Sequence, residues 1–186
     1  MLKTRTTAGL IGLILSAGAG AAHAAQSPPS SPVTVVKSAA PRALQFDVEV
    51  PASIKEVWAA LTTSDGMRTW VAPEAKVDLR AGGDWHAMFP GAAPGGGTIE
   101  SVSPETSLVI HAMAPEQFPE VRSIGTTAAF TLAACGERCT HVRLVQTGWR
   151  EGKEWDAAFE YLARGNAQLL ELLHRRFVSG PLTWKR

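Results

Sequence analysis

Charge of one sign is what this chain has least of. It carries 18 Lys and Arg against 17 Asp and Glu, a formal net charge of +1 over 186 residues. Without Lys3 and Arg5, which belong to the leader described below, the balance is 16 against 17, or −1. Such a chain has no electrostatic footprint for nucleic acid. Nor does it contain a basic amphipathic helix for a membrane surface. The apolar run from Gly9 to Ala22 is short for a bilayer span and rich in Gly and Ala. Internal repeats are absent, so solenoids and propellers are excluded. There is no Ser-His-Asp order, no paired-carboxylate spacing and no His-x-x-x-His metal spacing. No metal, cofactor or catalytic group is implied.

Cysteine is nearly absent too. The 2 residues are Cys135 and Cys139, in Ala-Cys-Gly-Glu-Arg-Cys-Thr. Two thiols at this spacing are too few to hold a metal, and a thioredoxin-like pair needs Cys-x-x-Cys opening a helix. A disulfide across a hairpin turn or a free thiol pair remains. Closing so small a loop is worth about 2 kcal/mol by chain entropy.

The N-terminus has the form of an export signal. Lys3 and Arg5 make a positive start, Gly9 to Ala22 an apolar stretch, and Ala22-His23-Ala24 a small-x-small cleavage site. Residues 1–24 are therefore expected to be a signal peptide, removed near Ala24 to leave an exported, periplasmic or secreted protein. No Cys lies near the cut, which argues against a lipoprotein. Residues 25–42 are rich in Ser, Pro and small side chains and predict a flexible tether, too poor in large apolar groups to pack. Residues 43–186 have the length of one ordinary domain.

Within that domain the longest element is a helix over Glu154 to Val178. Trp155, Phe159, Leu162, Asn166, Leu169, Leu170, Leu173 and Phe177 share one face, and Glu160, Arg164, Glu171, Arg175 and Arg176 the other. Gly180-Pro181 supplies the stop. About 25 residues span roughly 37 Å. Asn166 interrupts the apolar face, and an unpaired buried amide costs on the order of 1–3 kcal/mol.

Ahead of it, Ala43 to Val50 alternates as a half-buried strand. Ser53 with Glu56 makes a capping box for a helix over Ile54 to Leu61. Asp65-Gly66 is expected to break that helix before a short second one holding Met67, Trp70 and Val71. Strands follow at Ala75 to Arg80, Asp84 to Phe89, Thr98 to Val102, Leu108 to Met113, Thr127 to Ala133 and Thr140 to Thr147. Pro90 to Gly97 predicts a mobile loop, and Pro115 to Gly125 a connection. Hairpin-length links mean an antiparallel sheet, and helices at the two ends mean α+β. A sheet curved around a helix leaves space at its wide end for a ligand.

Particular blocks resemble a family. Pro51-Ala52-Ser53-Ile54-Lys55-Glu56-Val57-Trp58 resembles the opening of START/Bet v 1-like (SRPBCC) domains. So does Met67-Arg68-Thr69-Trp70 with Val77-Asp78-Leu79-Arg80-Ala81-Gly82-Gly83-Asp84-Trp85. Within that superfamily the chain is most similar to the heat-shock-protein-90 ATPase activator homologue group. Thr140-His141-Val142-Arg143-Leu144-Val145-Gln146-Thr147-Gly148-Trp149 resembles that group's penultimate strand. The likeness covers nearly everything from Ala43 to Arg186. It implies the helix-grip fold: a curved antiparallel sheet wrapped around the C-terminal helix over a cavity. Two positions where a pocket would be lined depart from the pattern. Asn166 stands beside Gly165 where the group often has Trp, and Ser101, next to Glu100, where it often has Glu. An exported chain would not meet a cytosolic chaperone, so no chaperone partner is expected.

The expected function is to bind a small hydrophobic molecule (lipid, aromatic or polyketide-like) between sheet and helix. The expected lining is Trp70, Trp85, Phe89, Ile110, Phe130, Leu144, Gln146, Phe159 and Asn166. The aromatics also suit a plain core. Gln146 and Asn166 either orient a ligand or hydrogen-bond each other or water. Because its face is otherwise apolar, Asn166→Leu is expected to keep or raise stability. The alternatives are a cyclase- or hydrolase-like enzyme, drawing on His111, Glu100, Asp84 or His86, and an envelope interaction domain using Pro90 to Gly97 with Leu182 to Trp184. The alternation places His86 and His111 on the solvent face.

Overall fold

The computed structural model describes residues 31–184; the leader and residues 25–30 of the tether lie outside the described residues. In chain order the elements are β1 (Thr34–Ala39), β2 (Arg42–Val50), α1 (Ile54–Thr62), α2 (Ser64–Arg68), β3 (Glu74–Val77), β4 (Asp84–Met88), β5 (Gly95–Ser103), β6 (Ser107–Met113), α3 (Pro119–Ile124), β7 (Thr126–Gly136), β8 (Cys139–Thr147) and α4 (Lys153–Ser179). The strands form one antiparallel sheet in the order β1-β2-β8-β7-β6-β5-β4-β3. Helices α1 and α2 carry the chain from β2 to the far edge. The meander from β3 then returns until β8 pairs with β2, setting Phe46 opposite Leu144. The curved sheet and its long C-terminal helix are the helix-grip fold, α+β.

Alternation explains which face is buried. In β2, Leu44, Phe46, Val48 and Val50 are buried and the residues between them turn outward. Trp155, Ala158, Phe159, Leu170 and Leu173 of α4 are buried against that face. The helix ends where Gly180 takes φ 88°, a conformation Gly adopts at low cost. The capping box at α1 is complete: Ser53 N–H and Oγ donate to Glu56 Oε2, and Glu56 N–H donates to Ser53 Oγ.

Four expectations are corrected. Residues 34–39, placed in a flexible tether, form edge strand β1, paired with β2 from Thr34–Asp47 to Ala39–Arg42. Most of its side chains face solvent, so what it contributes is backbone pairing, which composition does not reveal. Lys37 Nζ also pairs with Glu160 at 2.6 Å, and Ser31 bonds Glu171, fastening this edge to α4. Second, the break after α1 falls at Thr63, whose hydroxyl accepts from Gly66 N–H at 2.9 Å; Asp65 and Gly66 lie within α2, and Trp70 and Val71 beyond it. Third, Gly95, Gly96 and Gly97 are not loop but the start of β5. A Cβ on Gly97 would fall inside the His111 carbonyl, so the strand needs the bare backbone there. Fourth, Pro119–Ile124 is helix α3, with Pro119 at its first turn.

Cys135 and Cys139 are bonded across the β7–β8 turn, with Cα atoms 5.0 Å apart. Among the described residues no helix is long and apolar enough to cross a membrane.

Candidate functional site

The inward positions of four strands make one wall. Trp85 and Ala87 of β4, Ile110 and Ala112 of β6, Ala128 and Phe130 of β7, and Leu144 and Gln146 of β8 all follow the two-residue period. The facing wall is the middle of α4, where Leu162, Asn166 and Leu169 fall on one face by steps of three and four. Ala87, Ala112 and Ala128 are too small to reach the helix. The space they leave is a cavity of about 540 Å³.

Aromatic anchors hold the wall rigid. Trp85 Nε1 donates to Leu61 O at 2.8 Å, and its ring lies 5.9 Å from that of Phe130. The Trp85 indole N–H thus has a backbone partner, so this residue satisfies its polar atom and presents carbon to the cavity.

A polar chain crosses the apolar wall. Asn166 Nδ2 donates to Gln146 Oε1 at 2.7 Å, and Gln146 Nε2 donates to Thr126 Oγ1 at 2.7 Å. Gln146 and Thr126 are buried, at 3% and 4% exposure. The two amides thus take the mutual hydrogen bond that their residue types allow. Asn166 Oδ1 has no hydrogen-bond partner among the described residues. No fully buried side-chain polar atom there lacks a partner, so Oδ1 is not fully buried, and Asn166 itself lines the cavity.

Of the expected lining, Trp85, Phe89, Ile110, Phe130, Leu144, Gln146 and Asn166 border the cavity; Trp70 and Phe159 do not. Trp70 is fully buried, with Nε1 donating to Ala60 O at 2.9 Å, a core position against α1. Phe159 lies nearly two turns before Asn166 and packs on Trp149, ring centroids 5.0 Å apart, under the Arg42 guanidinium. Phe89 is a rim residue, 47% exposed, and the Trp184 ring stands edge-on to it at 6.0 Å. The C-terminal tail is held there by Leu182 N–H to Thr69 O at 2.8 Å and Trp184 Nε1 to Arg68 O at 2.6 Å.

The four acid-base candidates lie outside the cavity. His86 Nδ1 is 3.8 Å from Asp84, and His111 Nδ1 is 3.7 Å from Glu100. A hydrogen bond from Lys76 holds Asp84 below the usual carboxylate range and raises Lys76 in turn. Glu100 is the bulged residue between Ile99 and Ser101 in β5; it and Ser101 are exposed, so neither occupies the lining position expected of them. Among the described residues no three His, Cys, Asp or Glu are grouped to hold a metal.

Among the cavity residues not legible in the chain, Arg122 carries a charge and is not exposed. Arg122 lies on α3, half-buried, and its Nη1 donates to Ala114 O at 2.6 Å. Pro119 at the first position of a helix was the available signal, but six residues are too few for a periodic pattern.

The sequence profile described as activator of Hsp90 ATPase homolog 1-like protein matches residues 51–177, more than half of the chain. No curated protein sequence matches. Among solved structures, the Aha1 dimer from Colwellia psychrerythraea is 22% identical with a TM-score of 0.60, covering 74% of this chain and 97% of its own. CalU16 from Micromonospora echinospora is 22% identical with a TM-score of 0.57, covering 81% and 84%. DynU16, a protein in the dynemicin biosynthetic locus, is 19% identical with a TM-score of 0.55, covering 75% and 48%. At these identities the likeness shows the shared fold.

Proposed function

We propose a function from one premise: this chain belongs to the activator of Hsp90 ATPase homolog 1-like family. It holds a small, largely apolar molecule (a lipid, an aromatic or a polyketide-like compound) between sheet and α4. The observation that carries this reading is the cavity itself, about 540 Å³ with mostly apolar walls and a few polar side chains, Asn166 and Gln146 among them. Small-molecule sites typically occupy roughly 300–1,000 Å³ and combine apolar walls with a few orienting polar groups. A relative of the same fold in the dynemicin biosynthetic locus supports a small organic guest.

The leader supports action outside the cytoplasm. Lys3, Arg5, the apolar run and Ala22-His23-Ala24 suit cleavage near Ala24 and export of the mature chain. There the domain does not meet a cytosolic ATP-driven chaperone. Intact mass of protein expressed with its leader tests this: a product starting near Ala25 supports export, and a full-length product contradicts it.

N-phenyl-1-naphthylamine, a neutral probe that brightens in apolar surroundings, tests the cavity. The mature protein should bind it saturably. Ala128→Phe, which fills the space opposite Asn166, should abolish binding while the far-ultraviolet circular dichroism stays unchanged. Absence of saturable binding, or binding indifferent to the filled cavity, contradicts the reading.

A further inference from the structure

The charged groups around α3 are unevenly satisfied. Glu154 Oε1 accepts from the N–H groups of Glu120 and Val121, at 2.7 and 3.0 Å. Glu120 Oε1 accepts from Trp155 Nε1 at 2.9 Å. One oxygen of each of these carboxylates is thereby engaged by another donor. Arg122 is left without an anion: among the described residues no carboxylate lies within ion-pair distance of its guanidinium. Its one hydrogen bond, to Ala114 O, uses Nη1 and leaves Nη2 and Nε. It borders the same cavity as Ile110 and Leu144. A half-buried cation beside apolar walls has lost part of its hydration and gained no counter-charge from the chain, which is unfavourable unless an anion joins it. Glu116 also borders the opening, but it is exposed and keeps its own water shell.

We propose that the guest is an amphipathic carboxylic acid, its carboxylate paired with Arg122 and its apolar tail against Ile110, Phe130 and Leu144. The planar guanidinium matches a carboxylate through two parallel N–H groups, and burial strengthens that pair relative to one in water. The proposal rests on the cavity reading above and adds the ligand's charge.

The test displaces N-phenyl-1-naphthylamine with dodecanoate and with 1-dodecanol, which share a tail and differ in the head group. At neutral pH dodecanoate should displace the probe at roughly tenfold lower concentration, the size of a charge-assisted hydrogen bond. Arg122→Gln should erase that preference, with the neutral probe's affinity measured afresh in the variant as its own reference. Arg122→Lys, which keeps the charge but loses the fork, should retain part of it. Equal displacement by the two compounds, or a preference that survives Arg122→Gln, overturns the assignment of Arg122 while the cavity reading stands. Failure of the probe to bind overturns both. The comparison in the unmutated protein decides the ligand's charge even where Arg122→Gln does not fold.

Discussion

Replacing Asn166 by Leu separates the cavity's polar chain from its apolar wall. Seen from the helix alone, the substitution completes an apolar face and should cost nothing. The structure reverses that sign. Asn166 Nδ2 is the donor to Gln146 Oε1, and Gln146 is buried at 3% exposure. Leu cannot donate, so Gln146 Oε1 loses its partner, a loss of roughly 1–3 kcal/mol. A larger apolar side chain at a half-buried position returns on the order of 1 kcal/mol. Taking the middle of the first range, the net expectation is destabilisation by about 1 kcal/mol. At about 2–4 °C per kcal/mol for a domain of this size, the ligand-free melting temperature should fall by roughly 2–4 °C. The double variant Gln146→Leu with Asn166→Leu removes both amides and leaves Thr126 Oγ1, which as a hydroxyl can turn to another partner. It should be no less stable than Asn166→Leu alone, an interaction on the order of 1 kcal/mol in a double-mutant cycle. Thermal unfolding followed by circular dichroism measures all four proteins. An unchanged or raised melting temperature for Asn166→Leu, or strictly additive single effects, would refute the account of the polar chain.

Other consequences follow from the sheet. Burial by itself would raise the Asp47 carboxyl, but hydrogen bonds from Arg143 and Gln45 and the charges of Arg143 and His141 outweigh it, and the net shift is downward. A depressed carboxylate stabilises the fold above its unfolded pKa and loses that contribution as pH falls through its folded pKa. Asp47→Asn should therefore cost on the order of 1 kcal/mol at neutral pH, with the deficit closing in acid; urea unfolding across pH checks this, and a deficit independent of pH contradicts it. Reductant should lower stability by about 2 kcal/mol at most, through Cys135–Cys139, and no shift would show the bond idle. Gly97→Ala should prevent a native fold, judged by loss of cooperative melting, because its Cβ meets the His111 carbonyl; a variant with native stability would contradict the packing of β5 on β6.

What the chain disclosed was its periodic part. The wheel from Trp155 to Phe177 gave the face of α4, and alternation gave Trp85, Ile110, Phe130, Leu144 and Gln146 a common side. Periodicity states which face is inward but not how far along it a cavity runs. Trp70 and Phe159 were therefore expected in the lining and sit in solid core beyond it. The β1 strand was hidden because it holds by backbone pairing to β2 while its side chains face water. Arg122 was hidden because its role depends on which carboxylates its neighbours engage, and those partners, Trp155 for Glu120 and the α3 amides for Glu154, come from distant turns. Likewise the Asn166–Gln146 bond spans 20 residues, and no local pattern predicts its geometry.

The central claim is that the cavity under α4 holds a small organic guest. Native mass spectrometry of the protein, purified without detergent, tests it most directly. The account predicts a bound mass that dissociates on denaturation, or one that forms on incubation with dodecanoate in the ligand-free protein. A protein that remains free of adducts with fatty acids and neutral aromatics alike would contradict it.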